Sequence, residues 1–436
     1  MIMKIKTARL RSTAVLVGCL LLAAVGGTIL YRVHSTGGRA ASTPALASSL
    51  SAKVVVPHYR LSSNQAVKTA APVWQKPLRN DGTPAKVRKG FAALAKTYNL
   101  SLTPTYEGSN QATHPKLLYF PNGWNGYRYW MSITPYPATI DKYENPCIVT
   151  SNDLKTWVVP KGLKNPVTGI PADVKYGGHY SDSELVMNGG VMELWYRVDV
   201  GNKKTHLPDY KSDYYYRMVS TDGIHWSKPQ MMQSSTSSIL SLAIVRQQNR
   251  YQFWFTNRSH QLMYAKSTNG TKWTDLRPCK IPLPKGYVPW HQDVVFCNNK
   301  YYLLQTGWYT PKYSFALFLS ESTDGVHFTS GTSFYPSNNS TILHKTWLYR
   351  STFVPVEKGM FQMVVSYRLP GNKWYMTQCS LSEKAWDDAC LTNHKVILNQ
   401  PAAVSRKKAP AAAKKSASSA PRSGRSSSGR VAPRVL

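Results

Sequence analysis

A seven-residue pattern returns along this chain, and its spacing admits few architectures. It reads Ser, a polar residue, Asp or Asn, three residues, then an aromatic. It occurs as Ser151-Asn152-Asp153-Leu154-Lys155-Thr156-Trp157, and again over Ser220 to Trp226, Ser267 to Trp273 and Ser322 to Phe328. A worn fifth copy runs from Ser380 to Trp386, with Glu383 as its acidic residue. Successive copies start 69, 47, 55 and 58 residues apart, the period of a supersecondary unit. Asp-Gly or Asn-Gly at a hairpin apex tolerates positive φ, Ser and Asp oxygens bond turn amides, and the aromatic packs between sheets on the returning strand.

Two more strand-like runs precede each copy. They are Lys116 to Phe120 with Tyr127 to Ile133, Glu184 to Met187 with Met192 to Val198, Leu242 to Val245 with Tyr251 to Thr256, Asp293 to Phe296 with Tyr301 to Thr306, and Thr352 to Val356 with Phe361 to Tyr367. Turn residues split each pair, as in Asn188-Gly189-Gly190 and Asn298-Asn299-Lys300. Four strands per unit and five units predict an all-β, five-bladed β-propeller over 110–400. A β-sandwich has no need of so regular a period.

The flanks differ in composition. Of the formal charge of +33, 22 units lie outside 113–400. Lys4, Lys6, Arg9 and Arg11 precede an uncharged run from Thr13 to Tyr31, close to the ~20 residues that cross a hydrocarbon core. Basic residues on its near side predict a signal-anchor within 1–35, a transmembrane helix with a cytoplasmic amino end. The propeller is then extracytoplasmic on a single-pass cell-membrane protein, while Ala45-Leu46-Ala47 leaves a cleaved signal open. Residues 36–109, rich in Ser, Thr, Ala, Pro and Lys, are expected to form a low-complexity stalk with a short helix near Gly90 to Lys96. The tail 401–436 has nine basic residues and no acidic ones, with few large side chains, and is expected to be disordered. Outside a cell such flanks fit an anionic envelope polymer or lipid headgroups; nucleic acid would require them in the cytoplasm. Cys147, Cys279, Cys297, Cys379 and Cys390 show no zinc-like spacing and allow at most two disulfides.

In a propeller the first strand of each blade lines the axis, so the residues opening those strands converge on one funnel. Here they are His114, Asp182 with Glu184, Ser241, His291 with Asp293, and Arg350 with Ser351. Trp124, Trp290, Trp308 and Trp347 stand nearby, with faces on which sugar rings stack. A carbohydrate ligand is expected. Glycosidic cleavage needs one carboxyl to protonate the leaving oxygen and another to activate water or attack carbon. Asp182, Glu184, Asp293 and Glu144 are the available carboxylates, and strand alternation gives Asp182 and Glu184 the same facing. His114, His179 and His291 supply hydrogen bonds to substrate. No two of them stand at ligand spacing on one helix or strand, so neither a metal nor another cofactor is expected.

Five blades with Ser-x-Asp-Gly-x-x-Trp hairpins, and Ser181-Asp182-Ser183-Glu184-Leu185-Val186 opening the second blade, resemble the propeller glycosidases of glycoside hydrolase families 43 and 32. The resemblance covers roughly 113–400. It implies a first-blade Asp as base or nucleophile, a second-blade Asp that orients or tunes, and a third-blade Glu acid. Asp182 matches the second. Thr113-His114-Pro115-Lys116 has His in place of the first, and Leu240-Ser241-Leu242 offers no Glu; Glu144, in Tyr143-Glu144-Asn145-Pro146, is available to replace the missing first-blade Asp. The expectation is a membrane-anchored, outward-facing enzyme hydrolysing an oligo- or polysaccharide. A glycan-binding propeller without catalysis, or a surface interaction scaffold, is the alternative. The sialidase Asp box differs, closing over eight residues where these copies close in seven.

Overall fold

The computed structural model describes residues 78–209, 213–235 and 239–399. Five sheets follow one another in sequence order and form the five-bladed, all-β propeller. The inner strands are Ala112–Trp124, His179–Asn188, Ile239–Gln247, Tyr287–Cys297 and Thr352–Val356. Each pairs antiparallel with the strand that follows it, and that strand pairs with a third. Blades 1 to 4 add an outer strand: Val158–Val159, Gln230–Ser235, Thr274–Pro278 and Thr332–Tyr335.

The repeated motif forms the turn before that outer strand. In blade 2, Ser220 Oγ accepts from the Gly223 amide at 2.8 Å, and Asp222 Oδ1 accepts from the amides of Ile224 and His225, both at 2.8 Å. The same bonds recur around Asp153, Asn269 and Asp324. Gly223 sits at φ 75°, and a Cβ there would run into the Trp130 and Trp124 rings of blade 1. Gly223→Ala is therefore expected to cost about 2–4 kcal/mol, from left-handed strain plus overpacking. A urea midpoint unchanged from wild type would show that the interface between blades 1 and 2 gives way around the added methyl at little cost.

Two expectations are corrected. The fifth copy is no hairpin: Ser382 caps a helix, Glu383–Thr392, by accepting from Ala385 N, and the buried Trp386 packs from that helix. Ser382 stands where the other copies have Asp or Asn, and a Ser followed by Glu is a helix start rather than a turn. The stalk boundary also moves, because residues 78–109 pack on the propeller. Thr83–Pro84 pairs with Val158–Val159 at the edge of blade 1. Helix Phe91–Tyr98 buries Phe91 and Tyr98 against blade 5 and its neighbours. Ser101 then bridges to Met376, supplying blade 5 with an outer partner and closing the ring.

Thr13 to Tyr31, the remainder of the stalk and the basic tail lie outside the described residues. No helix among the described residues is long and apolar enough to cross a membrane. The five cysteines there are free thiols.

Candidate active site in the axial funnel

The inner strands of blades 1, 2 and 3 open with one shared irregularity. Register slips between Thr113 and Lys116, between Ser181 and Glu184, and between Leu240 and Ala243. Within each slip a single non-glycine residue has positive φ: His114 at 51°, Asp182 at 51° and Ser241 at 58°. Such backbone costs about 1–3 kcal/mol and persists where its surroundings over-determine it. Bulges re-aim side chains. These bring His114 and Asp182 together, and His291, beside a fourth slip after Pro289, joins them.

One nitrogen from each imidazole and one Asp182 oxygen all lie within 4.8 Å of one another. His114 Nε2 is 3.8 Å and His291 Nδ1 is 3.6 Å from Asp182 Oδ1. Among the described residues these three buried atoms make no hydrogen bond. The other edge of His114 is engaged, with Nδ1 2.9 Å from Thr134 Oγ1. A proton on Nδ1 donated to that hydroxyl leaves the Nε2 lone pair facing the cluster. Two imidazoles and a carboxylate converge there with no hydrogen bond at these atoms, a donor set of the kind that takes a first-row divalent cation, and Arg350 Nη1 stands 3.6 Å from the same Asp182 Oδ1.

The protonation states agree with ligand chemistry. Burial holds His114 down at about 3 and His291 well below its ordinary range, so both are neutral near pH 7. Burial opposes ionisation of Asp182, but Arg197 and Arg350 are among the groups that outweigh it and hold its pKa below the usual range. Arg197 Nε donates to Asp182 Oδ2 at 2.9 Å and its Nη1 to Asp199 Oδ1 at 2.7 Å. Glu144 lies beside the cluster with Oε2 3.5 Å from His114 Nδ1 and accepts from Ser181 Oγ at 2.5 Å. Burial, reinforced by Asp141, raises the Glu144 carboxyl well above the usual range. A buried carboxyl with high proton affinity next to a polar cluster suits proton transfer.

The other two carboxylates do different work. Beneath the funnel, Lys116 Nζ lies 2.8 Å from Glu184 Oε1 and 2.6 Å from Asp293 Oδ1. Arg350 Nη2 reaches Glu184 Oε2 at 3.0 Å and Leu242 O at 2.8 Å, and Asp293 Oδ2 accepts from Thr352 Oγ1 at 2.7 Å. All five inner strands are thereby tied by a brace of two cations and two anions. Despite burial the two carboxylates hold Lys116 above its ordinary range, while burial lifts the Glu184 carboxyl to about 7. Glu184 and Asp293, expected as catalytic carboxylates, are thus each paired with Lys116, and Arg350, expected as a substrate ligand, is bound to protein at Nη2. Alternation failed to separate Asp182 from Glu184 because the bulge lies between them.

Of the aromatics, Trp124 is buried at the far hairpin against Trp130, so it is not a funnel residue. Trp290 donates to the Tyr349 hydroxyl at 3.1 Å. The Tyr349 ring contacts both His114 and His291, at 5.6 and 4.7 Å between centroids. Trp347 belongs to the same wall through Phe315, and Trp308 through Trp290. His179 stands behind the cluster, Nδ1 donating to Gly177 O at 3.1 Å and Nε2 3.4 Å from Asp199. Tyr349 was absent from the sequence-based set, and the three-donor cluster went unread because its ligands come from three blades. The one signal available was that His114, Asp182 and His291 occupy matching places at the start of their inner strands.

No protein-family model matches the chain. Over 151 residues, 32% of this chain, it is 37% identical to an A type blood N-acetyl-alpha-D-galactosamine deacetylase of Flavonifractor plautii. The chain spans only 18% of that protein's length. The crystal structure of an N-acetylgalactosamine deacetylase from F. plautii in complex with blood group B trisaccharide matches with a TM-score of 0.54 at 20% identity, over 73% of this chain and 98% of that one. An α-L-arabinanase from Cellvibrio cellulosa matches at a TM-score of 0.46 and 12% identity, over 66% and 99% of the two chains. The F. plautii deacetylase structure thus shares the fold of this chain.

Proposed function

We propose that the protein is a metal-dependent hydrolase that removes N-acetyl groups from amino sugars of a glycan. The observation that carries this reading is the convergence of three buried donor atoms from His114, Asp182 and His291, none of them engaged in a hydrogen bond. The partial identity to a protein described as an N-acetylgalactosamine deacetylase supports it. His114, Asp182 and His291 would hold a divalent cation, which would supply polarisation of the amide carbonyl and acidification of a water. Glu144 in its ionised form would take a proton from the water as its oxygen bonds the acyl carbon, and return it to the amine nitrogen as the C–N bond breaks. Ser181 orients Glu144, and Arg197 keeps Asp182 anionic. Because the Tyr349 hydroxyl accepts from Trp290, its own proton is left to donate to the developing oxyanion.

Dialysis against a chelator is expected to abolish acetate release from N-acetylated oligosaccharides, and a divalent cation to restore it. Glu144→Gln is expected to keep the metal while kcat falls at least a hundredfold. One observation favours the glycosidase alternative, namely the unlike carboxyls of Glu144 and Asp182, burial raising the proton affinity of the first while neighbouring cations lower that of the second. That alternative requires new reducing ends and full activity in the presence of chelator. A binding module gives neither product.

We infer also that the propeller is held outside a membrane by the run from Thr13 to Tyr31, a reading that rests on the charges before it. Protease added to intact cells is expected to release the propeller; protection alongside digestion of an outer marker would refute it.

A further inference from the structure

The two ends of the propeller carry different charge. Since the site residues open the inner strands and neighbouring strands are antiparallel, the funnel end consists of the loops between second and third strands and those leading into inner strands. Exposed on these loops are Lys142, Lys175, Lys203, Lys204, Lys312 and Lys345. Acidic residues in the same loops are fewer and engaged: Asp141 accepts from the Tyr136 hydroxyl at 3.0 Å, Asp173 from Gly201 N at 2.6 Å, and Asp209 is half-buried. The opposite end mixes the two signs, with Asp153, Asp222, Asp324, Glu357, Glu383, Asp387 and Asp388 standing among Lys155, Lys272, Lys384, Arg128, Arg250 and Lys358.

The basic end is continuous with the site. Lys175 and Lys203 hold their ammonium groups 4.9 and 6.0 Å from the Tyr176 ring, and the neighbouring Gly177 carbonyl binds His179. Across the funnel, Tyr349 leads from His291 through Phe315 to Trp347. The Arg368 guanidinium lies 3.9 Å over the Trp347 ring, and Tyr313, next in sequence to Lys312, meets the same ring edge-on. Sugar rings stack on such faces, while cations set among them attract acidic substituents.

We propose that the substrate is a chain-like anionic glycan, whose sugars flanking the one in the funnel carry carboxylate, sulfate or phosphate groups read by this ring of lysines. The inference rests on the funnel being the glycan site. A neutral chain draws nothing from uncompensated cations around the mouth. An anionic bilayer meets the same lysines but sends no sugar to the buried donors.

The test uses the full chain, so that its basic flanks contribute equally throughout. Binding to chondroitin sulfate, to the same backbone desulfated and carboxyl-reduced, and to phosphatidylglycerol vesicles is measured by titration across a salt series, with acetate release followed in parallel. The wild type is expected to bind the anionic chain at least tenfold more tightly than the neutral one at low salt. Lys175→Glu/Lys203→Glu/Lys204→Glu is expected to remove that preference and flatten the salt dependence. Lys155→Glu/Lys272→Glu/Lys384→Glu, with the same charge change at the other end, is expected to alter affinity less than twofold. Equal binding of the two chains, equal effects of the two triple variants, or dependence on the funnel-end lysines for vesicles alone would overturn the inference. Lysine-dependent binding without acetate release would instead overturn the deacetylase reading and leave this one standing.

Discussion

Asp182→Asn is expected to lower kcat/KM for acetate release at least a thousandfold, a loss of about 4 kcal/mol in transition-state stabilisation. The carboxylate is the only anion in the three-donor cluster, so the amide that replaces it cannot neutralise a divalent cation between two neutral imidazoles. Bound metal, measured by elemental analysis of the same preparation, is expected to fall with activity. The fold is expected to survive, because Arg197 keeps Asp199 and Arg350 keeps Glu184. Undiminished turnover in this variant would remove Asp182 from the mechanism and, with it, the case for a metal.

The second large effect lies in the brace beneath the funnel. Lys116→Met leaves Glu184 and Asp293 buried without the cation between them, and breaking a buried pair from one side costs about 3–5 kcal/mol. Denaturant unfolding measures this directly. Replacing Asp293 as well, in Lys116→Met/Asp293→Asn, is expected to recover part of the loss, since one uncompensated charge goes with it. A single variant within 1 kcal/mol of wild type would show that the carboxylates find another partner or take up protons at little cost.

The propeller was legible because its signal is local. Ser151 and Asp153 bond amides within their own turn, so seven consecutive residues carry the whole instruction, and four copies repeat it. The fifth segment shares the Ser-to-Trp spacing, yet Ser382 caps a helix there; spacing without an Asp or Asn two residues after the first Ser was insufficient. The closing segment was hidden for a different reason. Phe91 and Tyr98 are two buried anchors in an otherwise plain sequence, and the bridge from Ser101 to Met376 joins positions too distant for any local pattern.

At the site, the residues were legible and their partnerships were not. His114, Asp182, Glu184, His291, Asp293 and Arg350 all stood out as funnel residues, but which carboxylate meets a cation depends on bulges that shift alternation by a residue. Glu184 and Asp293 are bound by Lys116, whose role as a buried counter-charge has no sequence signature. Trp124 looked like its fellow tryptophans, and only packing against Trp130 at the other end of its strand distinguishes it.

The repeated bulge separates architecture from reactivity. His114, Asp182 and Ser241 occupy one equivalent socket in successive blades, each held in the left-handed backbone by its own sheet. Ser241 offers its amide to Asp182 at 3.2 Å while its short side chain leaves that socket without a ligand. The turn motifs that define the blades lie elsewhere along the chain and have no stake in what the sockets hold. Reactivity is thus written in about one letter per blade, and a change of that letter rewrites the chemistry of the axis on an unaltered frame.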